Sequence, residues 1–181
     1  MKVGKFASRF EQTINDQLKK AGLKPEYEPE TFSYERRTKQ TYCRSCGSKS
    51  TYRKARYTPD FRIGNGIYLE AKGYLKAEVR AKMEDFLSSN DGFDLRFVFG
   101  ADNWITRKRL KKYSDWANSL GIPYAIKEVP KDWIEEAKRQ IQTGGGRPLP
   151  KHEDPAEHVH LPEQPKLVRG KRGKVHMPPP E

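Results

Sequence analysis

The first apolar pattern in the chain lies in residues 5–24, KFASRFEQTINDQLKKAGLK. Phe6, Phe10, Ile14, Leu18 and Ala21 recur at intervals of four, four, four and three, one face of an amphipathic helix. Gly22 follows as its C-terminal cap. Glu11 falls on the flank of that face, where an ordinary solvated glutamate would also sit. Strands are expected around YEPETFSY (27–34) and STYRKARYT (50–58), separated by a basic stretch that holds both cysteines. DFRI, a Gly-Asn-Gly turn and GIYLEAKG (60–73) read as a hairpin. Helices are predicted over KAEVRAKMEDFLSS (76–89), KRLKKYSDWANSLG (108–121) and PKDWIEEAKRQI (130–141), the last with Pro130 at its start. DLRFVFG (94–100), with its continuous apolar end, suits the centre of a sheet, and PYAIKEV (123–129) adds a further strand. Strands and helices mix without strict alternation, which predicts an α/β or α+β fold with a mixed central sheet flanked by helices.

Composition divides the chain. From about residue 143 the sequence holds eight of the thirteen prolines, all four histidines and few large apolar residues. The expected organisation is one folded domain over 1–142 and a Pro/Gly-rich, disordered tail over 143–181. The formal charge is +12, of which the tail carries only +2, seven basic residues against five acids. The folded part is therefore strongly basic and suits a polyanionic partner, nucleic acid ahead of an acidic membrane surface. Without a histidine it has no imidazole base, which argues against histidine-dependent nuclease chemistry. No apolar run is long enough to cross a bilayer, and the N-terminus lacks the apolar stretch of a signal peptide. A soluble protein that stays where it is made is expected. Two cysteines make no disulfide framework, in keeping with a reducing cytosol.

The candidate chemistry lies in YTPDFRIGNGIYLEAKG, residues 57–73. Alternation along the second strand puts Tyr68, Glu70 and Lys72 on one face and Ile67, Leu69 and Ala71 on the other. With the apolar set in the core, Glu70 and Lys72 lie side by side on an open face, and Asp60 joins them from the neighbouring strand. Two hard carboxylates on adjacent strands form half of a magnesium or manganese site. A lysine beside them can orient the attacking water and offset charge on the phosphate. A cross-strand ion pair on a wet sheet would show the same short pattern.

Pro59-Asp60 followed by Glu70-Ala71-Lys72, in a basic chain, resembles the PD-(D/E)xK nuclease superfamily. FASRFEQTINDQLKKAGLKPEYE, YTPDFRIGNGIYLEAKG, DLRFVFG, YSDWANSLGIPYA and VPKDWIEEAKR, in this order over about residues 3–139, are similar to the phage endonuclease I family of Holliday junction resolvases. The resemblance implies an intertwined, domain-swapped homodimer that nicks four-way junctions and other branched DNA in pairs, leaving 5′-phosphate ends. It implies Asp60, Glu70, Lys72 and Glu11 as catalytic residues, with two magnesium or manganese ions per active site. Asp60, Glu70, the Ala71 carbonyl and Glu11 would be the ligands, Glu11 reaching in from the other subunit. A phage protein of this kind acts in the host cytoplasm. The alternatives are a sequence-specific or mismatch nuclease, or a non-catalytic nucleic-acid-binding module.

Residues 36–56, a basic insert near the expected dimer crossing, hold eight Lys or Arg and no acid, and RKRLKK (107–112) adds five more. Arg53, Lys54, Arg56, Arg107, Lys108, Arg109, Lys111 and Lys112 are expected on phosphates, with Lys76 and Arg80 near the scissile one. Trp104, Trp116 and Trp133 read as core or interface anchors. Cys43 and Cys46 form half of a zinc knuckle. Either they are free thiols, or two copies meet across the dimer to share one structural zinc, or the tail residues His158 and His160 complete the set.

Overall fold

The computed structural model describes residues 6–42, 47 and 49–145, with the backbone alone for 39–42, 49 and 50. Cys43, Cys46, His158, His160 and almost all of the expected tail lie outside the described residues.

Helix α1 (Arg9–Lys20) and the two-residue strand β1 (Glu26–Tyr27) come first. A long antiparallel ribbon follows, β2 (Phe32–Tyr42) with β3 (Lys49–Tyr57). Strands β4 (Phe61–Arg62) and β5 (Tyr68–Lys72) flank the Gly-Asn-Gly turn. Then come α2 (Ala77–Ser89), β6 (Leu95–Phe99), α3 (Tyr113–Ser119), β7 (Tyr124–Ile126) and α4 (Lys131–Thr143). The sheet order is β1-β4-β5-β6-β7. β1, β4 and β5 pair antiparallel, whereas β5, β6 and β7 run parallel. The fold is mixed α+β with a central mixed sheet flanked by helices, as the sequence pattern predicts.

Two apolar layers sandwich this sheet. Ile67, just before β5, and Leu69 and Ala71 within it pack with Ile14 and Leu18 of α1 and with Trp133, Ile134 and Ala137 of α4. On the opposite face, Tyr68 of β5 and Phe97 and Phe99 of β6 meet Met83 and Phe86 of α2, Tyr113 and Trp116 of α3, and Phe32, Tyr34 and Tyr57 from the ribbon's base. All five residues of β6 are buried, as its continuous apolar run requires of an interior parallel strand. Arg96 is buried among them, held by Asp94 and Glu136 at 2.7 Å each and lying over Trp133.

Several expectations need correction. The face carrying Glu70 is not open: the ribbon's base and α2 fold over it, and Glu70 is only 3% exposed. The basic stretch 36–56 is no separate insert between two short strands, because most of it forms the outer part of the ribbon. The helix expected from Lys108 begins only at Tyr113. Residues 107–112 crowd five like charges together, which a helix would stack at i+3 and i+4. They form a loop instead, closed by Ile105 N–H donating to the Lys111 carbonyl and Tyr113 N–H to that of Asn103, with Arg109 at φ +52°. Asp115 then accepts from the Lys112 N–H and starts the short helix. Finally, Trp116 and Trp133 are buried, but Trp104 is 43% exposed in that loop, with the Lys112 ammonium over its ring.

Phe6 stands ahead of the N-cap Ser8 and so outside α1, and the strand expected over 27–34 is divided between β1 and β2. Gly22 follows α1 with φ +86°, a left-handed conformation that favours glycine. Gly64 lets the 64–66 turn approach α4, since a Cβ there would lie 3.2 Å from the Ala137 Cα. Asn65 donates to the carbonyls of Gln140 and Gly145, tying the turn to the end of α4.

Candidate active site

Asp60 stands one residue before β4, and Glu70 and Lys72 stand on β5, its antiparallel neighbour. The structure brings the three together. The Lys72 ammonium lies 2.8 Å from Glu70 Oε1 and 3.2 Å from Asp60 Oδ2. Asp60 Oδ2 also accepts from the Ala71 N–H at 2.8 Å. Continuing the β4–β5 register past Phe61–Leu69 places Pro59 opposite Ala71. Proline has no N–H, so it cannot donate to the Ala71 carbonyl as another residue there would. The Pro-Asp pair thus shapes the strand end twice: Asp60 takes up the amide of Ala71, and Pro59 gives its carbonyl no donor.

Two largely buried carboxylates share the one ammonium that is bonded to them. Burial, then the charge of Glu70, push the Asp60 carboxyl up from 3.8 to about 7, against the opposing pull of Lys72 and the Ala71 N–H. Burial alone would lower the Lys72 ammonium, but Glu70 and Asp60 outweigh it and the net shift is upward. A divalent cation would relieve the repulsion between the two carboxylates, and their hard oxygen donors fit magnesium or manganese. Among the described residues, no group of three Asp, Glu, His or Cys side chains stands ready to hold a metal ion. The donors on hand are two carboxylates and one main-chain carbonyl.

Glu11 comes near without joining the cluster. Its charge contributes to raising Asp60, and α1 packs on β5 within one chain. Both its oxygens are engaged elsewhere: Oε1 accepts from the Ser8 hydroxyl, and Oε2 from the Ala7 N–H and the Tyr27 hydroxyl. Ser8 in turn accepts from the Glu11 N–H at 3.1 Å, the side-chain N-cap that opens α1.

Two residues that sequence reasoning passed over sit against the site. Tyr57, only 1% exposed, donates its hydroxyl to Glu70 Oε2 at 2.5 Å. Glu70 is thus held by one oxygen from Tyr57 and by the other from Lys72. Lys82 of α2 places its ammonium 4.6 Å from the centre of the Tyr57 ring. Tyr57 opens the motif YTPDF and was legible as its neighbour; nothing in the sequence pattern sets Lys82 apart from the other lysines.

Of the residues expected on phosphates, Lys76 is the exposed N-cap of α2, and Arg80 donates to the Leu75 carbonyl. Arg107, Lys108, Arg109 and Lys111 are exposed in the loop after β6, and Lys112 is half-buried at its end. Lys76 and this loop follow the carboxyl ends of the parallel strands β5 and β6, the end where Lys72 lies. Arg53, Lys54 and Arg56 are exposed along the ribbon, where Arg36 stands directly opposite Arg53. No helix among the described residues is long and apolar enough to cross a membrane.

Residues 1–151 match the family model for phage endonuclease I. The chain is 32% identical over 145 residues to Endonuclease I of Escherichia phage T7, an alignment that covers 77% of this chain and 85% of the relative. It is 28% identical over 141 residues to Endodeoxyribonuclease 1 of Enterobacteria phage T3, covering 75% and 81% respectively.

Proposed function

The chain belongs to the phage endonuclease I family, and from that membership we propose that it is a metal-dependent endodeoxyribonuclease that resolves four-way DNA junctions as a homodimer. The observation that carries the reading is the Asp60–Lys72–Glu70 cluster at the end of β5, with the Ala71 carbonyl beside it. Asp60, Glu70 and the Ala71 carbonyl would hold magnesium or manganese, which when bound lowers the pKa of water and polarises the scissile phosphate. Lys72 donates toward the attacked phosphate and offsets the charge that develops on it. Tyr57 fixes the orientation of Glu70. Lys76, the loop after β6 and the ribbon neutralise phosphates and orient the branched duplex without reading its sequence. Cleavage in pairs follows from two such sites in one dimer, and 5′-phosphate ends from attack of water on phosphorus with the 3′ oxygen leaving as a hydroxyl. Glu11 would assist a second ion, delivered from the partner subunit if α1 is exchanged.

The test is incubation of the purified protein with an end-labelled four-way junction and its matched linear duplex, in magnesium and in chelator. Paired nicks in the junction that need magnesium are expected, with the duplex spared. Glu70→Gln and Lys72→Ala should bind the junction and not cut it. Equal cutting of duplex would overturn junction selectivity, and cutting by Glu70→Gln would overturn the site.

A further inference from the structure

The cluster described above holds one lysine, but a second cation stands beside it. Lys82 is half-buried on α2, its ammonium over the ring whose hydroxyl is bonded to Glu70. Among the described residues it has no carboxylate within ion-pair distance. Buried lysines are rare unless paired, and a face of tyrosine compensates an ammonium only weakly. Asp60 and Glu70 act on its charge favourably, while Lys72 and Arg36 oppose it.

Counting charge sharpens the point. Asp60 and Glu70 carry two negative charges, and Lys72, Lys82 and Arg36 carry three positive ones. A divalent cation would leave this small region strongly positive, with Lys82 repelled by it and by Lys72. A lysine with a purely structural role would be better placed elsewhere. The arrangement becomes favourable when an anion enters between α2, the end of β3 and the end of β5.

We propose that Lys82, seated on Tyr57, is a substrate-binding residue that takes a non-bridging oxygen of a DNA phosphate in the strand being cut. The proposal rests on the nuclease reading above and adds to it a second phosphate contact. Tyr57 links the two halves: its hydroxyl orients Glu70 while its ring supports the Lys82 ammonium. Lys72 and Lys82 would then hold the strand from two sides of that ring, one at the reacting phosphate and one at a phosphate beside it.

The test uses the full chain and junctions carrying one neutral methylphosphonate at successive positions of the cleaved strand. Lys82→Met keeps an apolar stem over Tyr57, Lys82→Arg keeps the charge, and thermal unfolding reports whether each variant is folded. Lys82→Met should lose roughly ten- to a hundred-fold in kcat/KM, the scale of a lost charged hydrogen bond, and Lys82→Arg should recover most of it. One methylphosphonate position should impair the wild type and leave Lys82→Met no worse than it already is. If Lys82→Met cuts like the wild type while Asp60→Asn is inactive, the Lys82 assignment falls and the active site stands. Losses that multiply at every scanned position would also overturn the contact. Cutting by Asp60→Asn would remove the active site and this proposal with it.

Discussion

Replacing Asp60 by Asn should make the metal-free protein more stable at alkaline pH, although it abolishes the proposed activity. The carboxyl of Asp60 is pushed from 3.8 to about 7, first by burial and next by Glu70. A displacement of that size corresponds to about 4 kcal/mol favouring the protonated form in the folded state. The raised value sets the sign: the contribution of Asp60 is fully present below the unfolded carboxyl range and is lost as pH rises through about 7. Asn keeps an oxygen for the Ala71 N–H and leaves Lys72 its 2.8 Å contact with Glu70. It also buries an NH2 group beside the Lys72 ammonium, so a net gain of about 1–2 kcal/mol at pH 8 is expected rather than the full figure. Urea unfolding in chelator at pH 8, 6 and 4 should show that gain at pH 8 and its decline toward zero by pH 4. Magnesium at roughly ten times its dissociation constant should return about 1.4 kcal/mol to the wild type and little to the variant. If Asp60→Asn is the less stable protein at pH 8 in chelator, or if its advantage does not shrink on acidification, the account of a carboxylate pair awaiting a cation is wrong.

Two other perturbations address the surroundings of the cluster. Tyr57→Phe keeps the ring beneath Lys82 but leaves Glu70 Oε2 without its 2.5 Å donor; a stability loss of about 1–3 kcal/mol is expected, together with a several-fold higher magnesium requirement for cleavage. An unchanged magnesium titration would show that Tyr57 does not position Glu70. Changing Arg53, Lys54 and Arg56 together to Gln should flatten the salt dependence of junction binding by about two to three units of log–log slope. Stability should hold or rise, because Arg53 faces Arg36 across the ribbon. Fluorescence anisotropy over a salt series reads the slope, and no change in it would remove the ribbon from the DNA surface.

What could be read from the sequence followed from local period and from fixed motifs. The four-residue recurrence of Phe10, Ile14 and Leu18 has one physical solution, and α1 is it, whereas Phe6 stands ahead of the N-cap Ser8. The alternation in β5 put Glu70 and Lys72 on one face correctly. It could not say what covers that face, because burial there is decided by Tyr57 of β3 and Phe86 of α2, and the period of one strand says nothing of how other elements pack on it. The basic loop was misread for a related reason. Residues 107–112 have no apolar face that would hold a helix against the core, and the helical pattern belonged to Tyr113, Trp116 and Ala117 alone. Arg96, in the middle of an apolar strand, escaped notice because its partners Asp94 and Glu136 include one from a different element. Lys82 was invisible for the same reason, since its position acquires meaning only when α2 folds over Tyr57.

Glu11 shows how a capping residue and a site residue can coincide. Its carboxylate opens α1 through Ser8 and Ala7, and those bonds fix the helix end against Tyr27. To serve a metal ion, one oxygen would have to turn from these donors toward Asp60, whose carboxyl already responds to its charge. The cost of that turn is the loss of a hydrogen bond to a charged oxygen, about 1.5–3 kcal/mol for each donor, which a divalent cation can offset. The exchange of subunits inferred above does not require different contacts. A domain swap replaces contacts within a chain by the same contacts between chains, provided that the connecting segment can open. Here α1 and β1 lie on one side of the β2–β3 ribbon in sequence, and β4 and β5 on the other. Within the ribbon Arg36 faces Arg53, and the register shifts between Arg37 and Thr41. Like charges and an irregular register weaken the hairpin pairing where a swap would have to undo it.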